Sequence, residues 1–262
     1  MTHLLCGLYY KQIIMINKTT NFGFKEVPEE EKASLVKDVF DSVSKRYDLM
    51  NDVMSLGLHR LWKRFAIDLA QVKKSSTVLD LASGSGDLAR SLARQVGPKG
   101  KVYASDINFS MLKEGIAKSL DTGLYENIHY VLADAENLPF KSSTFDCVMI
   151  SFGLRNVTRK EEALKSIYRV LKPGGKLVIL EFSHPSSSAV KKIYDRYSFD
   201  ILPALGDLIA QDRESYQYLA ESIRKHPDQE RLKIMMEDSG YKICNFYNLT
   251  FGIVAAHVGY KI

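Results

Sequence analysis

At 262 residues and 45% hydrophobic content, the chain can bury one large core, and α/β domains of this size are commonly single units. Its net charge of +5 comes from lysines and arginines scattered among 31 acids, which argues against a nucleic-acid-binding stripe. No apolar run approaches the ~20 residues that cross a bilayer, and three dispersed cysteines, Cys6, Cys147 and Cys244, argue against both a zinc knuckle and a disulfide scaffold and suit a reducing compartment.

Residues 1–21 read as an N-terminal extension, poorly ordered and without the features of a signal or transit peptide, which leaves the cytoplasm as the expected location. Residues 22–262 read as one domain. Its first part, 22–76, is an expected helical cap: Pro28 is followed by acids, and Leu35, Val36, Val39, Phe40 and Val43 recur at helical spacing. Its place in the chain, ahead of the sheet, puts it over a pocket mouth.

The core, 77–183, alternates strands and helices, an order that specifies a parallel sheet with right-handed crossovers. Within it, Val78 to Asp87 (VLDLASGSGD) reads as a buried strand running into a glycine-rich turn and a helix. Gly84 and Gly86 let the backbone turn tightly and approach a ligand. The helix that follows aims its N-terminal N–H groups at that ligand. Asp106 closes the next strand, KVYASD, with Ile107 just beyond it, at the separation where an acid accepts from both hydroxyls of a ribose.

These residues specify a nucleoside-like cofactor, but Gly84-x-Gly86-x-x-Ala89 also fits a dinucleotide fingerprint. Asp80 and Asp87 crowd the place of a pyrophosphate and suit a cationic amino-acid moiety, which favours S-adenosyl-L-methionine. Each acid alone is also a plausible helix cap or turn residue. A third strand, Ile128 to Ala133, delivers Asp134 and Ala135 to the same edge, where Asp134 can accept an adenine amine. A fourth, Phe145 to Phe152, is apolar throughout and ends at Ser151 before Gly153, Leu154, Arg155 and Asn156. Cys147, inside that strand, reads as core rather than as a nucleophile, and the six dispersed histidines imply no metal.

Residues 184–240 form an expected helical insertion on the substrate side, with the apolar and aromatic stretch Tyr194 to Ala210 at its centre. Residues 241–262 read as a terminal strand pair whose last strand enters the sheet antiparallel.

Two longer signatures resemble a known family. One is Tyr47-Asp48-Leu49-Met50-Asn51 running through Gly57-Leu58-His59-Arg60-Leu61-Trp62, and the other is Arg169-Val170-Leu171-Lys172-Pro173-Gly174-Gly175 leading into Glu181-Phe182-Ser183. The chain is identified by them as similar to the ubiquinone/menaquinone biosynthesis C-methyltransferases from about Phe22 to Ile262. Residues 1–14 have no counterpart, and Met15 is the expected natural start.

The resemblance implies a class I S-adenosylmethionine-dependent methyltransferase with a Rossmann-like, seven-stranded, mostly parallel sheet and an antiparallel last strand. It implies methyl transfer to a ring carbon of demethylmenaquinol, of a 2-methoxy-6-polyprenyl-1,4-benzoquinol, or of both. It places cofactor contacts on Ser85, Asp106, Asp134, Ala135 and Ser151, beside the turn residues Asp80, Gly84, Gly86 and Ile107. An apolar groove for the isoprenoid tail is expected from Met50, Met54, Ile201, Leu202, Leu205 and Ile209.

In such a transfer the ring carbon must lie in line with the methyl group and be made electron-rich by loss of a neighbouring hydroxyl proton. Arg155 is expected to stabilise the resulting oxyanion and Asn156 to orient a water or hydroxyl, with His59, His184, Asp87, Tyr194 and Tyr197 as further base candidates. The implied partners are the polyprenylated quinol, peripheral contact with the inner face of a membrane, and a homo-oligomer or quinone-pathway assembly, with no nucleic acid. A nicotinamide-dependent oxidoreductase explains only the glycine turn and Asp106. A non-catalytic scaffold does not account for the intact series of glycines and acids.

Overall fold

The computed structural model describes residues 18–43, 47–210 and 212–262. An antiparallel hairpin comes first, with strands β1 (Thr19–Phe22) and β2 (Lys25–Pro28). Thr19 to Asn21, within the stretch expected to be poorly ordered, form part of a strand, because β1 finds a partner strand and Phe22 stacks on Tyr218 at 4.3 Å. Residues 1–14 and the start at Met15 lie outside the described residues. Three helices follow, α1 (Glu29–Val43), α2 (Tyr47–Ser55) and α3 (His59–Ala70).

The sheet alternates with helices as the sequence order requires: β3 (Thr77–Leu81), α4 (Asp87–Val96), β4 (Lys101–Asp106), α5 (Phe109–Asp121), β5 (Ile128–Leu132), β6 (Phe145–Ser151), α6 (Lys160–Val170) and β7 (Leu171–Phe182). The insertion contributes α7 (Ser188–Arg196), a π-helical turn at Tyr197–Ile201, α8 (Leu202–Ala210), α9 (Arg213–Lys225) and α10 (Gln229–Asp238). Strands β8 (Lys242–Leu249) and β9 (Val254–Tyr260) close the chain.

Seven strands pair in the order β5-β4-β3-β6-β7-β9-β8. The first five are parallel, and β9 inserts antiparallel between β7 and β8, as the terminal strand pair implied. Alternation along each strand divides the interior into two layers. Val78, Cys147, Met149, Val178 and Leu180 face one side with Leu88, Leu92 and Trp62, whereas Leu79, Leu81, Val148, Ile150 and Ile179 face the other with Leu164, Ile167 and Tyr241. Both faces of the central strands are covered, which is why their sequences are apolar without interruption.

Helix α4 shows the local logic. Leu88, Ala89, Leu92, Ala93 and Val96 make one buried stripe, and the helix ends where Gly97 turns at φ 71° and donates its N–H to the Ala93 carbonyl. Cys147 is core, and burial pushes its thiol up to about 12. Met50, Met54 and Leu202 are also core, packed in the layer that holds Trp62, so they do not line an open trough. Ile201 is exposed and Leu205 half-buried, while the Ile209 side chain lies outside those described. No described helix is long and apolar enough to cross a membrane.

Candidate active site

Parallel strands deliver their following loops to one edge, and here the loops after β3, β4, β5 and β6 surround a cavity with about 840 Å³ of empty space, its open mouth included. Leu81, Ala82 and Gly84 form its floor. Asp106, Ile107, Asn108 and Met111 form one wall, Ala133, Asp134, Ala135 and Glu136 the next, and Phe152, Gly153 and Asn156–Thr158 the far side. Ala33, Val36, Lys37 and Phe40 roof it from α1, so the N-terminal helix does cover the mouth.

Backbone strain concentrates at this floor. Ala82 and Phe152, each just past the end of a neighbouring strand, hold left-handed conformations at φ 54° and 57°. Gly86 follows at φ 75°, where a Cβ would come within 3.2 Å of the Tyr130 hydroxyl. Such conformations persist where surrounding structure imposes them, and here they turn the chain away from the cavity to leave room for a ligand.

Asp106 braces the glycine turn. One carboxylate oxygen accepts the Gly84 N–H at 2.8 Å and the other the Asn108 N–H at 2.9 Å. Burial raises its pKa against the pull of these amides. Each oxygen retains a second lone pair for a hydroxyl in the cavity, the donor set a ribose offers. Asp134 accepts the Glu136 N–H at 2.9 Å, capping a short turn while lining the cavity, so the capping and ligand readings coexist in one residue.

Asp80, Ser85, Gly86 and Ser151 stand behind the lining. Asp80 is 1% exposed, and burial, reinforced by Asp87, raises its pKa well above the usual carboxylate range. Among the described residues its Oδ2 finds no partner, and the Ser151 hydroxyl is unpartnered as well. For Asp87, burial works toward a higher pKa, but Lys63, donating at 2.7 Å, holds it below the ordinary value. An acid-rich floor with an orphaned carboxylate oxygen fits a ligand that carries an ammonium and a sulfonium.

Arg155 needs correcting. The sequence suggested a free guanidinium on the substrate side, but Arg155 is 6% exposed and bonded to Glu181, its NH1 donating at 3.0 Å and its backbone N–H at 3.1 Å. NH1 also donates to the Phe152 carbonyl, whereas Nε has no acceptor among the described residues. Two buried charges at neighbouring strand ends pair because either alone would be uncompensated. Asn156 lines the cavity, and its Oδ1 accepts the Tyr218 hydroxyl at 3.0 Å.

The other base candidates are engaged elsewhere. His59 bonds Asp52 at 2.9 Å, His184 donates to the His226 carbonyl at 3.0 Å, and Asp87 is paired with Lys63. Burial carries the Tyr194 phenol up to about 12, under the Arg224 guanidinium, and burial raises Tyr197 too. Trp62 of the first signature packs against Phe152 and Phe182 and donates to the Thr250 hydroxyl at 2.9 Å, so that stretch ties α3 to the cavity wall.

Sequence reasoning did not single out Asn108. Its Oδ1 accepts the Met111 N–H at 3.0 Å, and its Nδ2 donates to Asp41 at 2.9 Å and to the Lys37 carbonyl, latching α1 onto the wall beside Asp106. An asparagine immediately before a helix carries an N-cap signal, but its link to α1 is visible only in three dimensions.

The fold, with its cavity at the strand edge, is the class I methyltransferase fold. Among solved structures, the chain resembles a SAM dependent methyltransferase from Aquifex aeolicus, with a TM-score of 0.59 at 18% identity over 81% of this chain and 98% of that one. It also resembles Haemonchus contortus phosphoethanolamine N-methyltransferase 2 in complex with S-adenosyl-L-methionine, with a TM-score of 0.56 at 16% identity over 76% of this chain and 52% of that one.

Within that class, the profile of the ubiE/COQ5 methyltransferase family matches residues 25–261, and the chain belongs to this family. It is 59% identical over 244 residues to the ubiquinone/menaquinone biosynthesis C-methyltransferase UbiE of Escherichia fergusonii, covering 93% of this chain and 97% of that protein. The enzyme of the same name from Hahella chejuensis is 58% identical, with 93% and 98% covered.

Proposed function

We propose that the protein is an S-adenosylmethionine-dependent C-methyltransferase that methylates a ring carbon of demethylmenaquinol, of a 2-methoxy-6-polyprenyl-1,4-benzoquinol, or of both. The observation that carries this reading is 59% identity across 93% of the chain to an enzyme of that name. S-Adenosylmethionine supplies an electrophilic methyl group on a positively charged sulfur.

Asp106 accepts the ribose hydroxyls and, through Gly84, fixes the turn beneath them. Asp134 and Ala135 frame the adenine, with Ile107 on its open side and Ser85 and Ser151 adding hydroxyls from below. Asp80, with Asp87 and Lys63 beside it, sets the charge of the floor. Helix α1 excludes water from above. On the far wall, Asn156 faces the ring oxygens, held by Tyr218, while Arg155 stands behind that wall in its bond to Glu181.

A polyprenylated substrate resides in lipid, and the reading includes peripheral contact with a membrane. Leu56, Leu58 and Leu61 are exposed around the start of α3, with Arg60 and Arg64 beside them, an arrangement suited to an anionic surface.

Calorimetric titration with S-adenosylhomocysteine and, separately, with NADH tests the cofactor. Binding of the first alone supports the reading. Binding of NADH alone turns the glycine motif into a dinucleotide site and removes the proposed function.

A further inference from the structure

Trp62, the only tryptophan in the sequence, closes the first family signature and belongs to an aromatic cluster. Its ring lies 6.2 Å from that of Phe152 and 6.1 Å from that of Phe182, edge-on to the latter, and Phe152 and Phe182 are themselves 4.8 Å apart. The bond to Thr250 at 2.9 Å fixes the indole at its polar end. Of the three rings, only that of Phe152 belongs to a residue lining the cavity. Phe152 is 5% exposed, with Trp62 and Phe182 packed behind it.

Phe152 is also held in a costly conformation. At φ 57° it occupies the left-handed region, which a bulky L-residue rarely adopts. Gly153 stands next to it at an ordinary φ of −116°, so the strain falls on the aromatic residue although a glycine is adjacent. Contact explains that glycine, since a Cβ on Gly153 would collide with the Ala82 Cβ. The main chain of Phe152 is fixed at both ends, its N–H donating to the Leu180 carbonyl at 2.8 Å and its carbonyl accepting from Arg155. Core packing alone does not require this conformation: Phe182 joins the same cluster from the extended backbone of β7. Strain that the surroundings impose in this way collects at ligand sites.

The sheet order separates Phe152 from the adenine side. It follows β6, whereas Asp134 and Ala135 follow β5, and β4 and β3 lie between. Three strand spacings of about 4.8 Å put the two loops roughly 14 Å apart. Phe152 therefore borders the part of the cavity that a nucleoside held by Asp106 and Asp134 leaves open, on the wall that carries Asn156.

We propose that Phe152 is the residue against which the quinol ring packs, with Trp62 and Phe182 as positioning residues that hold it there, and that this cluster sets the ring size the site favours. The assignment rests on the methyltransferase reading. A quinol ring is apolar on its faces and carries its oxygens in its plane. A phenyl wall supplies dispersion and offset stacking to a face and leaves the oxygens to Asn156. The methyl group approaches one face of the ring, and a wall against the other holds the attacked carbon in line. Face contact grows from one ring to two, so a naphthoquinol gains more from this wall than a benzoquinol.

Trp62 supplies the readout, because a quinone bound against Phe152 quenches the fluorescence of the indole packed behind it. The probe is menadione, a naphthoquinone ring without a tail, titrated into the full-length protein saturated with S-adenosylhomocysteine. Wild type should show saturable quenching. Phe152→Leu keeps the same backbone cost and loses the aromatic face, and should need about tenfold more menadione, near the upper end of what an aromatic pair adds beyond its buried area. Its affinity for S-adenosylhomocysteine, read by calorimetry, should not change. In turnover, the variant should raise the KM of short-chain demethylmenaquinol about tenfold, that of the benzoquinol less, and that of S-adenosylmethionine not at all. Trp62→Ala should raise the quinol KM in the same selective way, and Trp62→Phe should restore most of it.

Menadione that leaves the Trp62 emission of wild type unchanged, or that binds wild type and Phe152→Leu equally, overturns the proposal. So does a matching rise in the KM of the cofactor, or a benzoquinol KM that rises as much as that of the naphthoquinol. The wild-type titration decides where a variant fails to fold. Failure of the methyltransferase reading shows separately, as absent S-adenosylhomocysteine binding.

Discussion

The two halves of the strand edge hold their charged groups in different ways. After β3, β4 and β5 stand Asp80, Asp87, Asp106 and Asp134, around a cavity open at its mouth. Past β6 stands Arg155, buried in a pair with Glu181 of β7, and past α9 stands His226, also buried. Asp106 and Asp134 are held by backbone amides of the turns that follow the strands, whereas Arg155 is held across the fold by Glu181 from another strand. This division suits a cationic donor on the acid side, while the buried ion pair on the other side fixes the wall that carries Asn156.

Breaking the Arg155–Glu181 pair should give the largest effect. Arg155→Ala leaves Glu181 buried without its counter-charge and is expected to cost about 3–5 kcal/mol of stability, read by denaturant unfolding. Converting both residues to methionine should restore most of that stability and leave methyl transfer impaired. If the double variant transfers at the wild-type rate, the pair serves only the fold.

Asp106→Ala attacks the other half. It removes two charge-assisted bonds to ligand as well as the brace on Gly84, and should weaken S-adenosylhomocysteine by about 3 kcal/mol, roughly 150-fold by calorimetry, with global stability much less affected. Unchanged affinity removes Asp106 from the site.

Asp80 gives a pH-dependent test. Its folded pKa is raised, so the folded protein holds this proton more tightly than the unfolded chain. The cost of charging it is absent below about 3.8 and grows as pH rises toward the folded value. Asp80→Asn should therefore be more stable than wild type at pH 7, with the gap closing toward pH 4, while binding the cationic cofactor less tightly. His257 works in the opposite direction, its pKa lowered from 6.5 to about 4 by burial, so its contribution to stability is lost as pH falls through that window.

The smallest effect is expected at the latch. Asn108→Ala removes the links to α1 and one helix cap, worth about 1 kcal/mol, and should raise amide exchange in residues 29–43 while weakening cofactor only several-fold. Exchange unchanged in α1 would show that the roof is held by packing alone.

The acid half was legible in the sequence because its signals are local. Gly84, Gly86, Asp106 and Asp134 follow apolar strands directly, and a strand's end fixes where the next residue stands. The cation half was not. Arg155 was noticed because it follows β6, but its partner Glu181 stood only as part of a family signature with no role attached, and Lys32 and Lys160 looked like ordinary surface lysines. Met50, Met54 and Leu202 failed in the opposite way, since apolar residues suited to a lipid groove are equally suited to a core, and the packing of α2 and α8 makes them core. The hairpin from Thr19 was missed because TTNF and KEVP are too short and polar to announce strands.

The most direct test of the account is transfer of a labelled methyl group from S-adenosylmethionine to short-chain demethylmenaquinol and to the matching benzoquinol, measured with wild-type protein and Asp106→Ala. The account predicts label on a ring carbon of at least one quinol, with a rate that falls in the variant as its hold on the cofactor weakens. Tight cofactor binding with no label on either ring would contradict it.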